Sequence, residues 1–224
     1  MTEFFASLSP DAAEQVEYLI NNVPFAIWET LYSTVLATIL AYVIGLPLGV
    51  LLVVGEEGGI LPLPRPVMTV LNVVVNLLRS VPFLILMVVV FPLSRLLIGT
   101  SIGTKATIVP LFIAAFPFVA RLVEASIREM DRGIIEAAES MGCSPLQIIT
   151  KVILPECVPS LLTGFATAFV TILSYGAMSG AIGGGGLGSM ALNRGFTRHQ
   201  NIVLWGAVIL LVIPVQISQT LGTR

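Results

Sequence analysis

Long stretches without any charged residue constrain this chain more than any other feature of its sequence. Residues 30–54 are 25 consecutive uncharged positions, and residues 157–193 are 37. A bilayer core about 30 Å thick is crossed by roughly 20 apolar helical residues. Charged residues make up only 11% of the chain, whereas a typical soluble domain has roughly 25%. Because so few charges cannot cover a soluble globule, we expect an integral membrane protein.

The apolar stretches predict an all-α, polytopic fold with about five transmembrane helices. The predicted spans lie near residues 27–54, 67–94, 106–127, 157–182 and 200–222. Arg79 interrupts the second span and should face protein or water, because an arginine in lipid is costly. Residues 1–25 form an acidic segment without Lys or Arg, which we expect to be an extracytoplasmic N-terminal segment.

The basic residues between the spans favour one orientation. Six lie on the face that carries residues 121–156 and the C-terminus, and four lie on the other face. Cytoplasmic loops carry an excess of Lys and Arg. This bias therefore favours a cytoplasmic C-terminus and an N-terminus outside.

Composition also excludes several classes of function. The net charge is −2 and no basic face is present, which argues against nucleic acid as a partner. One histidine and two cysteines are too few for a multi-histidine metal site or a disulfide framework. We expect no bound metal and no catalytic residues.

Residues 121–156 are an unusually polar insertion between two spans. They contain four of the eleven basic and six of the thirteen acidic residues. Asp131 is suited to cap a first helix and Gly142 to stop it. Ser144 and Gln147 have the spacing of a capping box for a second helix, which should end before Pro155.

An apolar stripe is predicted on the first of these two helices, formed by Ile134, Ala137, Ala138 and Met141. The stripe is compatible with two arrangements. The loop either packs on its own membrane domain or inserts a short amphipathic helix into a groove of another protein.

The same segment resembles a known motif. Its residues follow the order Glu-Ala-Ala, three residues, Gly, nine residues, then Val-Ile-Leu-Pro. This resembles the EAA loop of bacterial ABC importer permeases, with Val152 in place of the first Ile. The resemblance implies that loop 128–156 couples the chain to a cytoplasmic ATPase. It assigns the coupling role to Glu136, Ala137, Ala138, Gly142, Ile153, Leu154 and Pro155.

Further fragments, in order along the chain, resemble the methionine-uptake type of these permeases. They include residues 44–50, 79–83, 175–180 and 180–188. The resemblance implies a homodimer in the bacterial cytoplasmic membrane, two ATP-binding cassette subunits that use ATP and Mg, and a substrate-binding lipoprotein that delivers D- or L-methionine. The chain itself would bind no cofactor. The alternatives are another amino acid or small peptide as cargo, or a secondary carrier without an ATPase.

Two further sets of residues are candidates for the transport route. The glycine run matches G-x-G-x-x-G, but no strand precedes it, so dinucleotide binding is rejected. The remaining interpretations of this run are flexibility, a tight turn or a gate. Its glycines are Gly183, Gly184, Gly185, Gly186 and Gly188.

Polar or soft residues in spans two and four are candidates for the pathway, although each is also common in helix packing. They are Asn76, Ser80, Ser174, Tyr175 and Met178.

Overall fold

The first membrane segment is one helix that begins well before residue 27. The computed structural model describes residues 9–222. Helix α1 spans Pro10–Val54, and the Ser9 side chain accepts a hydrogen bond from the Ala12 amide at its start. Most of the expected N-terminal segment is thus continuous with the first span. Residues 1–8 of that segment lie outside the described residues.

The second span is bent rather than straight. Helix α2 covers Arg65–Ser80 and helix α3 covers Phe83–Ile98, with an angle of 109° between them. Between them Val81 has an extended backbone with φ −79° and ψ 125°. A residue before proline is disfavoured in the α conformation, and Pro82 offers no amide donor. Residues 67–94, which we predicted as one interrupted span, therefore form a bent pair of helices.

Helix α4, Thr104–Arg128, is the central helix of the fold. Leu111, Ala115 and Val119 on α4 are fully buried. Glycines on α1 allow the two helices to approach closely: a Cβ on Gly49 would lie 2.5 Å from the Ala120 carbonyl oxygen. Small residues at helix contacts are the usual means of tight packing in membranes.

The polar insertion after α4 contains the predicted short helices. Helix α5 is Arg132–Ser140, where the Asp131 side chain accepts a hydrogen bond from the Gly133 amide at 2.8 Å. Gly142 has a φ of +78°, as a left-handed helix stop requires. The Gln147 side chain accepts from the Ser144 amide at 2.9 Å. The predicted caps and stop are confirmed.

The second helix of the insertion does not end before Pro155. Helix α6, Pro145–Ile148, passes into a π-helical segment, Ile149–Ile153, and then into helix α7, Leu154–Glu156. The Leu154 amide donates to the Ile149 carbonyl. This wider turn lets the chain stay helical past a residue that has no amide hydrogen.

The remaining elements complete the membrane domain. Helix α8 is Val158–Ser179, a 3₁₀ turn is Gly180–Ile182, helix α9 is Gly186–Ser189, a π-helical segment is Met190–Phe196, and helix α10 is Asn201–Gly222. Residues 9–222 contain four helices long and apolar enough to cross a membrane, or five if the bent pair counts as one span. The predicted all-α membrane fold is confirmed.

Candidate functional site

Helix α5 has one face against its own membrane domain and one face free. Ala138 is 2% exposed and belongs to the main core together with Ile148 and Ile153, while Ile135 packs against that core. Glu136 and Ala137 are exposed. The apolar stripe that we predicted is therefore divided between the two faces.

Helix geometry explains the division. Successive residues are rotated by about 100° around an α-helix. The buried direction lies between Ile135 and Ala138, so Ala137 is turned away from it and Ile134 lies at its edge. Met141 follows the last residue of α5 and is 77% exposed. Ala138, to which the resemblance assigns a coupling role, is enclosed by its own domain in this structure.

Two large apolar side chains are exposed in this polar segment. Met141 is 77% exposed and Leu146 is 70% exposed, and both lie near Glu136 and Ala137 in sequence. We call these four residues the coupling surface, after the role that the resemblance implies. Of the other motif residues, Ile153 is buried, Leu154 packs against the core and Pro155 is exposed.

A groove of about 500 Å³ runs beside α5. Arg132, Glu136 and Glu139 line it from α5, and Glu56 and Glu57 line it from the turn after α1. Apart from Arg132 and nearby Arg128, the charged groups in the groove are carboxylates. The groove therefore offers mainly acidic groups next to the coupling surface.

A charge network near the end of α4 was not predicted. Glu124 accepts from Arg121 at 2.5 Å and from Arg128 at 3.0 Å, and its side chain is only 10% exposed. Arg128 also binds Glu56 in the turn after α1. The spacing of these residues, i+3 and i+4 from each other, was a signal available in the sequence.

The same network reaches α2. Arg121 donates to the side-chain oxygens of Asn72 and Asn76, each at 2.9 Å. Asn76, one of the pathway candidates, is thus a partner of Arg121. The network joins α2, α4 and the turn after α1 beside the start of α5.

The other pathway candidates lie in two places, Ser80 at the end of α2 and the remaining three on α8. Tyr175 stacks on Phe83 with ring centroids 4.5 Å apart, and both rings line a cavity of about 230 Å³ together with Arg79. The Ser80 hydroxyl donates to the Asn76 carbonyl. The remaining two candidates, Ser174 and Met178, are exposed on α8.

The glycine run is closely packed. A Cβ on Gly184 would lie 2.7 Å from the Ser179 carbonyl oxygen, and one on Gly188 would lie 2.3 Å from the Ala177 carbonyl oxygen. Such contacts cannot be relieved by moving a flexible side chain, because the neighbouring atoms belong to the backbone. Between flexibility and a tight turn, this packing favours a tight turn.

Comparison with known proteins gives a consistent result. A family model described as "Binding-protein-dependent transport system inner membrane component" matches residues 45–221. The chain is 47% identical over 197 residues to a Vibrio cholerae protein named probable D-methionine transport system permease protein MetI, covering 88% of this chain and 87% of that one. It is 44% identical over 154 residues to the Escherichia coli K12 protein named D-methionine transport system permease protein MetI, covering 69% and 70%.

A solved structure agrees over nearly the whole chain. It is described as an inward-facing conformation of the MetNI methionine ABC transporter, and it matches with a TM-score of 0.89 and 41% identity. The match covers 93% of this chain and 96% of that one. With this agreement in sequence and in fold, the chain belongs to the family of binding-protein-dependent transport system inner membrane components.

Proposed function

We propose that this chain is the membrane permease subunit of an ATP-driven ABC importer and that its cargo is D- and L-methionine. The relatives named for D-methionine transport and the methionine transporter structure support this cargo. Another amino acid or a small peptide is the alternative cargo.

The observation that carries the proposal is the coupling surface. Met141 and Leu146 expose most of their side chains in an insertion that is rich in charged residues. Apolar side chains exposed in this way mark a docking site for a helix in a groove of another protein. We infer that the coupling surface inserts into a cytoplasmic ATPase subunit, with Glu136 and Gly142 as further parts of the coupling motif.

The connection from α5 into the membrane gives the mechanism. Helix α4 ends at Arg128 and α5 begins at Arg132, so a displacement of α5 acts on α4 through a short link. The ion pairs of Arg128 with Glu124 and Glu56 stiffen this link. Movement of α4 is transmitted to α1 because Gly45 and Gly49 hold the two helices in close contact. ATP binding at the partner thereby drives alternating access.

Two copies of the chain and two ATPase subunits form the assembly in this proposal, and a substrate-binding lipoprotein delivers cargo from outside. The coupling surface and the C-terminus face the cytoplasm, and α1 begins outside. ATP and Mg are bound by the ATPase, because this chain has no G-x-x-x-x-G-K-[ST] phosphate-binding loop. The permease is not itself an enzyme.

The gate and the pathway belong to the same proposal. The glycine run closes the route at the outer end, and the cavity beside Phe83 and Tyr175 lies along the route. Ser80, Ser174 and Met178 line it where two copies of the chain meet.

Uptake by proteoliposomes tests the proposal. The chain is reconstituted with its ATPase and binding protein, and entry of labelled D- and L-methionine is measured with and without ATP. We expect uptake only with ATP and with all subunits present. Ala137→Ser serves as a matched control for Ala137→Trp, which should abolish ATPase copurification without loss of the permease.

Three results would contradict the proposal. Uptake by the chain alone would make it a carrier. Stronger uptake of another amino acid would identify that amino acid as the cargo. Normal transport by Ala137→Trp would remove the coupling role of α5.

A further inference from the structure

One carboxylate joins three segments that are distant in sequence. Glu29 on α1 accepts a hydrogen bond from the Thr104 hydroxyl at 2.5 Å through one oxygen. Its other oxygen accepts from the Gly186 amide at 2.9 Å. Glu29 therefore connects α1 with the first residue of α4 and with the start of α9.

Two more hydrogen bonds act at the same place. The Leu187 amide donates to the Thr30 hydroxyl at 2.9 Å, and the Gly103 amide donates to the Gly183 carbonyl at 2.8 Å. The glycine run is thus held to α1 and to the residue before α4 by direct contacts. We call Glu29, Thr30, Thr104 and the amides of Gly186 and Leu187 the clamp.

The glycines are what allow the clamp to form. A Cβ on Gly185 would lie 1.9 Å from the Thr104 hydroxyl oxygen and 2.9 Å from a Glu29 oxygen. A Cβ on Gly186 would lie 2.4 Å from the Thr30 hydroxyl oxygen. No side chain fits between the glycine run and the residues that bind it.

The clamp and the coupling surface lie at opposite ends of α4. Thr104 is the first residue of this 25-residue helix, and Arg128, which precedes α5, is the last. At 1.5 Å per residue the two ends are about 37 Å apart. A shift of α4 driven from α5 would act directly on the Thr104 contact with Glu29.

We propose that Glu29 is a positioning residue that holds the glycine run closed against α1 and α4, and that this clamp must open when cargo enters from outside. The inference rests on the proposed function. A hydrogen bond to a charged acceptor is stronger than one between neutral groups. Glu29 therefore favours the closed arrangement over one in which its contacts are broken.

Two variants weaken the clamp, one at the shared carboxylate and one at a single donor. Glu29→Gln keeps the size of the side chain but loses the charge that both donors bind. Thr104→Val keeps the shape but loses the hydroxyl donor. Thr104→Ser retains the hydroxyl and is the matched control.

The experiment measures ATP hydrolysis by the reconstituted complex without binding protein, together with the apparent affinity for the binding protein. If the clamp favours the closed state, Glu29→Gln and Thr104→Val shift the population toward the open state. We expect the rate of ATP hydrolysis and the affinity for the binding protein each to rise roughly tenfold. This is the size of effect that loss of one charge-assisted hydrogen bond predicts. Thr104→Ser should behave as the unmodified chain.

A second measurement does not depend on transport. Leu187 is 2% exposed behind the clamp, so a Leu187→Cys thiol should react slowly with a maleimide. Adding Thr104→Val should accelerate that reaction, whereas adding Thr104→Ser should not.

The outcomes separate the two proposals. Unchanged thiol reactivity, hydrolysis and affinity in both clamp variants would overturn the clamp while normal transport upheld the function. A fall in all activities together with lower thermal stability would make Glu29 and Thr104 merely structural. Faster Leu187→Cys labelling in a complex that moves no amino acid would uphold the clamp and overturn the function.

Discussion

The coupling surface and the glycine run use glycine and apolar residues in opposite ways. In the loop after α4, Gly142 has open space around it and Met141 points into solvent. In the glycine run, no Cβ would fit on Gly185 or Gly186, and Leu187 is buried. In our proposal this exposed loop is covered by a partner. The glycine run, in contrast, is already packed against α1 and the start of α4.

The largest expected difference comes from adding one methyl group to each region. Gly142 and Gly186 both have positive φ, +78° and +74°, so alanine is strained at either by about 1–2 kcal/mol. At Gly186 the methyl group also meets the Thr30 hydroxyl, which adds about 1–3 kcal/mol of overpacking. We expect Gly186→Ala to lose about 2–5 kcal/mol and Gly142→Ala about 1–2 kcal/mol. Thermal unfolding in detergent measures both, and equal losses would contradict the comparison.

A second pair of variants tests the two faces of α5. Ala138→Trp should lower the free energy of unfolding by about 1–3 kcal/mol or more, because the site is enclosed. The abundance of the protein should fall with it. Ala137→Trp should change stability by less than about 0.5 kcal/mol, because the residue is exposed. ATPase copurification should nevertheless fall about tenfold or more with Ala137→Trp. If Ala138→Trp leaves abundance normal, α5 does not pack on its own domain.

The charge network offers a third comparison, since it holds the end of α4 nearest the loop. Glu124→Gln leaves Arg121 and Arg128 without a shared carboxylate, and we expect a loss of about 1–3 kcal/mol. Glu14→Gln, on the exposed part of α1, is the control and should be neutral. Urea or thermal unfolding gives the values. An equal effect of the two changes would mean that the network contributes nothing to the free energy of unfolding.

The smallest effect concerns the two thiols near the loop. Burial, together with the nearby charges of Glu156 and Glu129, raises the pKa of Cys157, whereas Cys143 is half-buried. A raised pKa leaves less thiolate at neutral pH. We expect Cys143 to be alkylated several-fold faster than Cys157, with the difference narrowing as pH rises. Mass spectrometry of the labelled chain measures this, and faster labelling of Cys157 would contradict the burial.

Local sequence signals predicted the parts of the fold that depend on neighbouring residues. Uncharged runs located the membrane helices, and Asp131, Gly142 and Gln147 located the ends of the short helices. The bend at Pro82 was missed because residues 67–94 are long enough for one span, and length alone does not distinguish a straight helix from a bent pair.

Local sequence signals could not predict the contacts between residues that are distant in the sequence. Glu29 lies 75 residues from Thr104 and 157 from Gly186, so no periodicity connects them. The orientation of Ala138 depended on which side of α5 meets the membrane domain. The signal in the sequence that could have predicted this orientation is Ile135, because its apolar side chain sets the buried direction together with Ala138.

The length of α1 has a consequence for anything that approaches the membrane on the side where the helix begins. Its 45 residues measure about 68 Å, more than twice the roughly 30 Å of hydrocarbon. A helix of this length extends beyond the hydrocarbon. Its first turns are held by Arg194, which lies 4.2 Å from the Tyr18 ring centroid, and by the Ile202 amide, which binds Gln15. A protein that docks at this end of α1 meets these first turns, and any lipid tether that anchors such a protein must reach past them.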